Sequence, residues 1–133
     1  MVTKEQHLIN IKRDKNGELE NNFNNLVNSG KEFAYGSGVL NVAGGRTVLS
    51  ALKGLHSFYS INGINDCKLR DPMTGRTVNG TLTEMETLIT DILNWGHNNY
   101  YININKQDYV HSCENVEDVL DVTWESLEVS GIL

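Results

Sequence analysis

The histidines and cysteines are the side chains whose chemistry is easiest to recognise, because a thiolate and an imidazole together can perform nucleophilic catalysis or bind zinc. His111 and Cys113 lie two positions apart, so they would share one face of a strand, and His97 is a second potential base for the thiol. A Cys/His enzyme is therefore one functional hypothesis. His56, Cys67 and His97 could complete a ligand set for zinc, but no Cys-x-x-Cys or His-x-x-x-His spacing is present. We predict no metal and no cofactor, and we assign no catalytic residue.

A glycine-rich turn is the second feature with chemical potential. Residues 39–47 are typical of a strand, a tight turn at two glycines and the start of a helix. Free N–H groups at a helix N-terminus attract anions, glycines let a phosphate approach closely, and an arginine adds a bidentate contact. The sequence therefore supports the hypothesis of a site for an anionic small molecule such as a nucleotide. Its residues would be Gly44, Gly45, Arg46, Thr47, Arg70 and Arg76.

The specificity of this glycine signal is low. The segment lacks the Gly-Lys-Ser/Thr of a P-loop and the third glycine of a dinucleotide fingerprint. The ordinary alternative is that two glycines make a sharp turn and that Thr47 caps the following helix.

The acids are distributed unevenly along the chain. The last 27 residues, 107–133, carry seven acids and no Lys or Arg, so the formal net charge of −6 comes from this segment. Between residues 114 and 128 the acids recur at steps of three and four, which places them along one side of a helix with apolar residues opposite. The acids of this predicted helix are Glu114, Glu117, Asp118, Asp121, Glu125 and Glu128.

Such an acidic helix predicts a positively charged partner. Complementary charge can speed association by roughly ten- to a thousandfold at low salt. Toxin-immunity proteins and phage inhibitors of host defence are small acidic proteins that cap basic targets, an analogy of size and charge only. The 17 asparagines also suit an AT-rich phage or mobile-element genome. The first hypothesis is thus a non-catalytic protein that docks on, and thereby inhibits, a basic protein surface. The ordinary alternative is the solvated face of an end helix.

Composition argues against other partners and compartments. Lys and Arg are not clustered as phosphate neutralisation requires, so direct nucleic-acid binding is not expected. No apolar run approaches the ~18 residues of a membrane span, and residues 1–7 lack the apolar stretch of a secretory signal. The two cysteines, Cys67 and Cys113, have no framework spacing and are expected as free thiols. We therefore predict a cytoplasmic protein.

Residue patterns predict the elements that would position these groups. A strand at 7–13 precedes a helix that ends at Gly30, and an extension of this element through Phe33 and Tyr35 stays open. A strand at 39–42 precedes a second helix, whose apolar face runs to Tyr59. A β-hairpin is predicted at 67–79 around the chain's only proline.

The C-terminal third is predicted in the same way. The capping-box pattern at Thr83–Glu86 starts a helix that ends at Gly96. Strands follow at 100–104 and 108–112, with Tyr100 and Tyr101 on opposite sides, so that one is exposed as an interface anchor. A last helix, capped by Ser112 or Asn115, runs to about Glu128. Together these elements predict one α+β domain, residues 1–133, with a mainly antiparallel sheet, about four helices and an acidic C-terminal amphipathic helix.

Overall fold

A computed structural model of the chain describes residues 2–43 and 45–124, apart from the side chains of Gly45 and Arg46. In chain order its elements are α1 (Lys4–Ser29), β1 (Lys31–Tyr35), β2 (Gly38–Val42), α2 (Gly45–Ile61), β3 (Leu69–Arg70), β4 (Thr77–Val78), α3 (Leu82–Ser112) and α4 (Val116–Leu120). The four helices and the antiparallel pairing of the strands in this part of the chain agree with the predicted α+β class.

The chain divides into two compact units, and α1 and α3 each contribute residues to both. The first unit contains Met1–Asn25 and His97–Leu133, and the second contains Leu26–Gly96. That residues 1–133 form one domain stays a prediction. None of the helices in the described ranges has both the length and the apolar content needed to cross a membrane.

Two hairpins form the strands of the second unit. β1 pairs with β2, and β3 pairs with β4, both antiparallel. The predictions of a strand at 39–42 and a hairpin within 67–79 are confirmed. Phe33 and Tyr35 belong to β1 and do not extend the first helix. The reason is Gly30, which adopts a φ of +76° and ends α1.

The core of the second unit contains inward-facing side chains from both its strands and its helices. Its buried residues are Phe33, Tyr35, Leu40, Val42, Leu52, Cys67, Leu69, Met85, Leu88 and Ile92. The predicted inward face of α3 is confirmed at Met85, Leu88 and Ile92. Its start differs from the prediction, because Thr81 and Glu84 form the capping box: Glu84 N–H donates to Thr81 Oγ1 at 3.2 Å, and Thr81 N–H donates to Glu84 Oε1 at 3.0 Å.

α3 continues for 31 residues, so the predicted end at Gly96 and the predicted strands at 100–104 and 108–112 are wrong. Burial explains the difference, because Ile102, Lys106 and Val110 recur at steps of four along one helical face. Packing along that face outweighs both the β-propensity of the aromatic residues and the cost of about 1 kcal/mol for a glycine inside a helix.

The predicted strand at 7–13 is also wrong, since these residues lie within α1. The Thr3 side chain accepts a hydrogen bond from Gln6 N–H at 3.0 Å and thereby caps the first turn. Leu8 and Ile11 then pack at helical spacing against the core of the first unit. That core consists of Leu19, Val110, Cys113, Val119 and Val122.

The final helix is shorter than predicted. Asn115 caps α4 as expected, but α4 ends at Leu120 with Asp121 as its C-cap. Of the predicted apolar face, Val119 is buried whereas Leu120 is 55% exposed. The acidic helix predicted to run to Glu128 therefore does not continue through residues 121–124, and its remainder at 125–128 lies outside the described residues.

Candidate functional site

Four of the six acids assigned to the partner-binding surface lie in the described part of the chain, and all four are exposed. This acidic patch consists of Glu114, Glu117, Asp118 and Asp121. Glu125 and Glu128 lie outside the described residues.

The start of α4 makes the acidic patch locally favourable. Asn115 Oδ1 accepts a hydrogen bond from Asp118 N–H at 2.9 Å, and Asn115 Nδ2 donates to the Asp118 carboxylate at 3.0 Å. Glu117 and Asp118 stand in the first turn, where the partial positive charge of the helix N-terminus favours carboxylates. Local structure thus offsets part of the repulsion between these acids.

Three lysines of the same unit donate to backbone carbonyls and are not paired with the acidic patch. Lys12 Nζ donates to the His111 carbonyl at 2.8 Å, and Lys15 Nζ donates to the Val122 carbonyl at 2.9 Å. Lys106 Nζ donates to the Thr123 carbonyl. Across residues 2–43 and 45–124, the salt bridges involve other acids than those of the patch. The carboxylates of the patch therefore face solvent without a basic side chain paired to them in the described ranges.

Tyr109 of α3 borders the acidic patch and is 39% exposed. The pKa of its phenol is raised by the nearby Cys113 thiol, then by partial burial, and further by the carboxylates of Asp118 and Asp121. An exposed tyrosine beside the acids was expected from Tyr100 or Tyr101, both of which are about half exposed on α3. Sequence reasoning missed Tyr109, although helical spacing of the buried residues along α3 would have placed it at the edge of the buried face.

The residues assigned to the anion site lie partly outside the described residues. Gly44 and the side chain of Arg46 are not described, and Gly45 begins α2 as predicted. Thr47 is exposed in the first turn of α2.

The arginines of the anion hypothesis belong to the β3–β4 hairpin, beside the strand that leads to the glycine turn. Arg70 and Arg76 are both exposed. The Asn41 amide of β2 donates to the Asp71 carboxylate at 3.0 Å and 3.3 Å, which ties this hairpin to β2. Neither guanidinium has an ion-pair partner among the residues described.

Asp71 is 2% exposed and closes the β3–β4 loop. Its carboxylate accepts hydrogen bonds from Met73 N–H at 2.8 Å and from the Asn41 amide. Burial by itself would raise the pKa of Asp71, but these hydrogen bonds outweigh burial and leave the pKa below its usual value. Asp71 therefore acts as a structural carboxylate and is not held by either arginine.

The structure does not form the Cys/His pair that a strand would have presented. His111 is exposed in the last turn of α3, whereas Cys113 is 7% exposed and its Sγ lies 3.2 Å from the Tyr109 carbonyl. Burial raises the pKa of the Cys113 thiol, which makes it a poorer nucleophile. His97 instead packs edge-on against Tyr101, with 4.4 Å between ring centroids.

His56 and Cys67 are engaged elsewhere. His56 Nε2 lies 3.0 Å from Glu86 Oε1, and Cys67 is fully buried with its Sγ directed at the Ile64 carbonyl. Among the described side chains, no group of three or more His, Cys, Asp or Glu residues is arranged to hold a metal ion.

A shallow cleft of about 180 Å³ in the second unit is lined by Ala34, Tyr35, Gly36, Thr83, Glu84 and Thr87. It is smaller than the roughly 300–1,000 Å³ typical of small-molecule pockets. Its one carboxylate, that of Glu84, already accepts a hydrogen bond from Thr81 N–H. We therefore assign no ligand to it.

Comparisons with models of known protein families, with curated proteins and with solved structures find no match for this chain. The functional assignment therefore rests on the contacts, charges and exposure of its own residues.

Proposed function

We propose that this chain is a non-catalytic binding protein whose acidic patch docks on a basic surface of another protein and inhibits that protein by covering it. The observation that carries the proposal is the direction of the lysines in the first unit. Lys12, Lys15 and Lys106 bind carbonyl oxygens, while the patch carboxylates remain in solvent. A partner rich in Lys and Arg would supply the missing opposite charge.

The apolar side chains at the patch support a protein partner over a free cation. Tyr109 is 39% exposed and Leu120 is 55% exposed beside these acids. Tyrosines are enriched among the residues that dominate binding energy, and surrounding charges mainly set orientation and association rate. In this arrangement Tyr109 and Leu120 would contact the partner, and the acids of the patch would orient it and speed its association.

Charge reversal tests this proposal. The variant Glu117→Lys/Asp118→Lys/Asp121→Lys should lose proteins captured from lysate by the immobilised wild type, and the capture should weaken as salt rises. The matched control, Glu5→Lys/Glu32→Lys/Asp91→Lys, reverses three exposed acids elsewhere and should keep the same proteins. Equal capture by both variants, with circular dichroism showing both folded, would contradict the proposal.

A second candidate function is binding of an anionic small molecule, such as a nucleotide, at the turn Gly44–Thr47 with help from Arg70 or Arg76. The observation that favours it is the Asn41–Asp71 contact, because Asp71 is satisfied there and leaves both guanidinium groups available to a ligand. A ligand at about a hundred times its Kd should stabilise the fold by ~2.7 kcal/mol. Thermal melts with nucleotides and phosphorylated metabolites test this, and Arg76→Ala should reduce any rise in Tm. If none of these compounds raises the Tm, the anion site is contradicted and the two glycines serve only to form a turn.

A further inference from the structure

The residues that directly follow α4, up to Trp124, contribute to the buried cluster of the first unit. Asp121–Trp124, here called the strap, contains Val122, which is 2% exposed and packs with Leu19, Val110 and Cys113. Two turn-type hydrogen bonds join the start of the strap to α4, from Asp121 N–H to the Glu117 carbonyl and from Val122 N–H to the Val119 carbonyl. The strap therefore covers a small apolar surface without being part of a helix or sheet.

Two buried lysines hold the strap, and together they form what we call the lysine clamp. Lys15 of α1 is 8% exposed. Its ammonium donates to the Val122 carbonyl at 2.9 Å and also lies 3.0 Å from Glu18 Oε2. Lys106 of α3 is fully buried, and its ammonium donates to the Thr123 carbonyl. Lys106 Nζ also lies 5.3 Å from the centroid of the Trp124 ring, a cation–π distance.

Burial of an ammonium is unfavourable unless hydrogen bonds compensate for lost hydration. Each clamp lysine obtains part of that compensation from a strap carbonyl, and the two carbonyls are neighbours in sequence. Directional bonds to adjacent carbonyls fix the register of the strap. Without these ammonium groups both carbonyls would lose their side-chain donors, which is unfavourable. A short segment held by few hydrogen bonds and buried contacts opens locally with a smaller free-energy cost than packed helices do.

We propose that the strap is a releasable cover, held shut by the lysine clamp, which opens while the helices of the first unit remain folded. Opening would remove Val122 from the cluster and expose Cys113, while Asp121 would move away from the rest of the acidic patch. The device belongs to the chain itself and does not depend on the partner proposed above.

The two cysteines provide a reporter and an internal control. Cys113 is 7% exposed and belongs to the same buried cluster as Val122 of the strap, whereas Cys67 is fully buried in the other unit. Burial raises the pKa of both thiols, so both should react slowly with a maleimide when closed. In the folded full-length protein, labelling followed by peptide mass spectrometry should find Cys113 reacting faster than Cys67. Local opening should make the Cys113 rate nearly independent of urea at low concentrations, while the Cys67 rate rises with urea.

Substitution of the clamp gives the second arm of the test. Lys15→Met/Lys106→Met keeps side chains of similar length but removes both charged donors, and it should speed labelling of Cys113 by about tenfold or more. Cys67 should be unaffected. Lys4→Met is the matched control, because Lys4 of α1 is exposed in the same unit and is not one of the two clamp lysines, and it should give no acceleration.

Two results would overturn the proposal. An unchanged Cys113 rate in the double variant would mean that the lysines do not hold the strap. Equal urea dependence of both cysteines in the wild type would mean that Cys113 is exposed only by global unfolding. The wild-type measurement decides the matter even if the double variant does not fold.

Discussion

The Tyr35 hydroxyl donates a hydrogen bond to the Cys67 carbonyl, and the same ring is close to Gly80. This contact joins β1 to the chain that enters the second hairpin. Cys67 N–H in turn donates to the Gly80 carbonyl at 2.8 Å, so the two segments are held by backbone and side chain together. Burial, followed by the nearby Cys67 thiol, raises the pKa of Tyr35 to about 12. The hydroxyl therefore remains a neutral donor throughout the usual pH range.

Removal of that hydroxyl should destabilise the protein. Tyr35→Phe leaves the Cys67 carbonyl without its side-chain donor in a buried site, and such a loss costs about 1–3 kcal/mol. Urea unfolding should show a lower midpoint with an unchanged slope. Tyr101→Phe is the control, because Tyr101 is 48% exposed, and it should change stability little. Equal stability of Tyr35→Phe and wild type would contradict the role given to this bond.

A methyl group at Gly80 should disturb the same contact. A Cβ there would lie 2.4 Å from Tyr35 Cζ, so the ring or the backbone must shift. Overpacking of this kind typically costs about 1–3 kcal/mol. Gly54→Ala is the matched control, because a Cβ at Gly54 meets nothing within 4 Å and alanine favours the α2 helix. Thermal melts should therefore move in opposite directions for the two variants.

Acid should destabilise the protein partly through Asp71. Its pKa is lower in the folded state than in the unfolded state, because Met73 N–H and the Asn41 amide stabilise the carboxylate. The Asp71 carboxylate therefore adds to the free energy of unfolding at pH values above its pKa in the unfolded state. This contribution is lost as the pH falls toward its pKa in the folded state. Melts at decreasing pH should show a smaller acid-induced fall in Tm for Asp71→Asn, which has already lost the charge. Asp66→Asn, at an exposed position, should keep the wild-type dependence.

Local patterns predicted the second unit better than the first. The period of Met85, Leu88 and Ile92 and the turn residues of the hairpin gave correct elements, because local preference and burial agree there. The short apolar run at 7–13 fits a strand or a helix. Only the packing of Leu8 and Ile11 against the buried cluster of the first unit selects the helix. Short apolar runs carry this ambiguity in general.

The acidic patch was predictable in part, whereas the lysine clamp was not. Exposed acids follow from the steps of three and four between Glu114 and Asp121. Lys15 and Lys106 are buried, although lysine is almost never fully buried unless paired. The carbonyl that Lys15 binds lies 107 residues away in sequence, so no local sequence pattern predicts this hydrogen bond.

Gly96 distinguishes a helix end from a continuous helix. A glycine that ends a helix usually has a positive φ, where alanine is strained, but Gly96 is not among the glycines with positive φ and lies inside α3. A Cβ at Gly96 meets nothing within 4 Å. Gly96→Ala should therefore stabilise the protein by about 0.5–1 kcal/mol, since alanine loses less backbone freedom than glycine on folding. Gly30→Ala should do the opposite, because Gly30 has a φ of +76° and its Cβ would lie 2.1 Å from the Val42 carbonyl oxygen. A lower Tm for Gly96→Ala would mean that the helix breaks there and that residues 97–112 are held in another way.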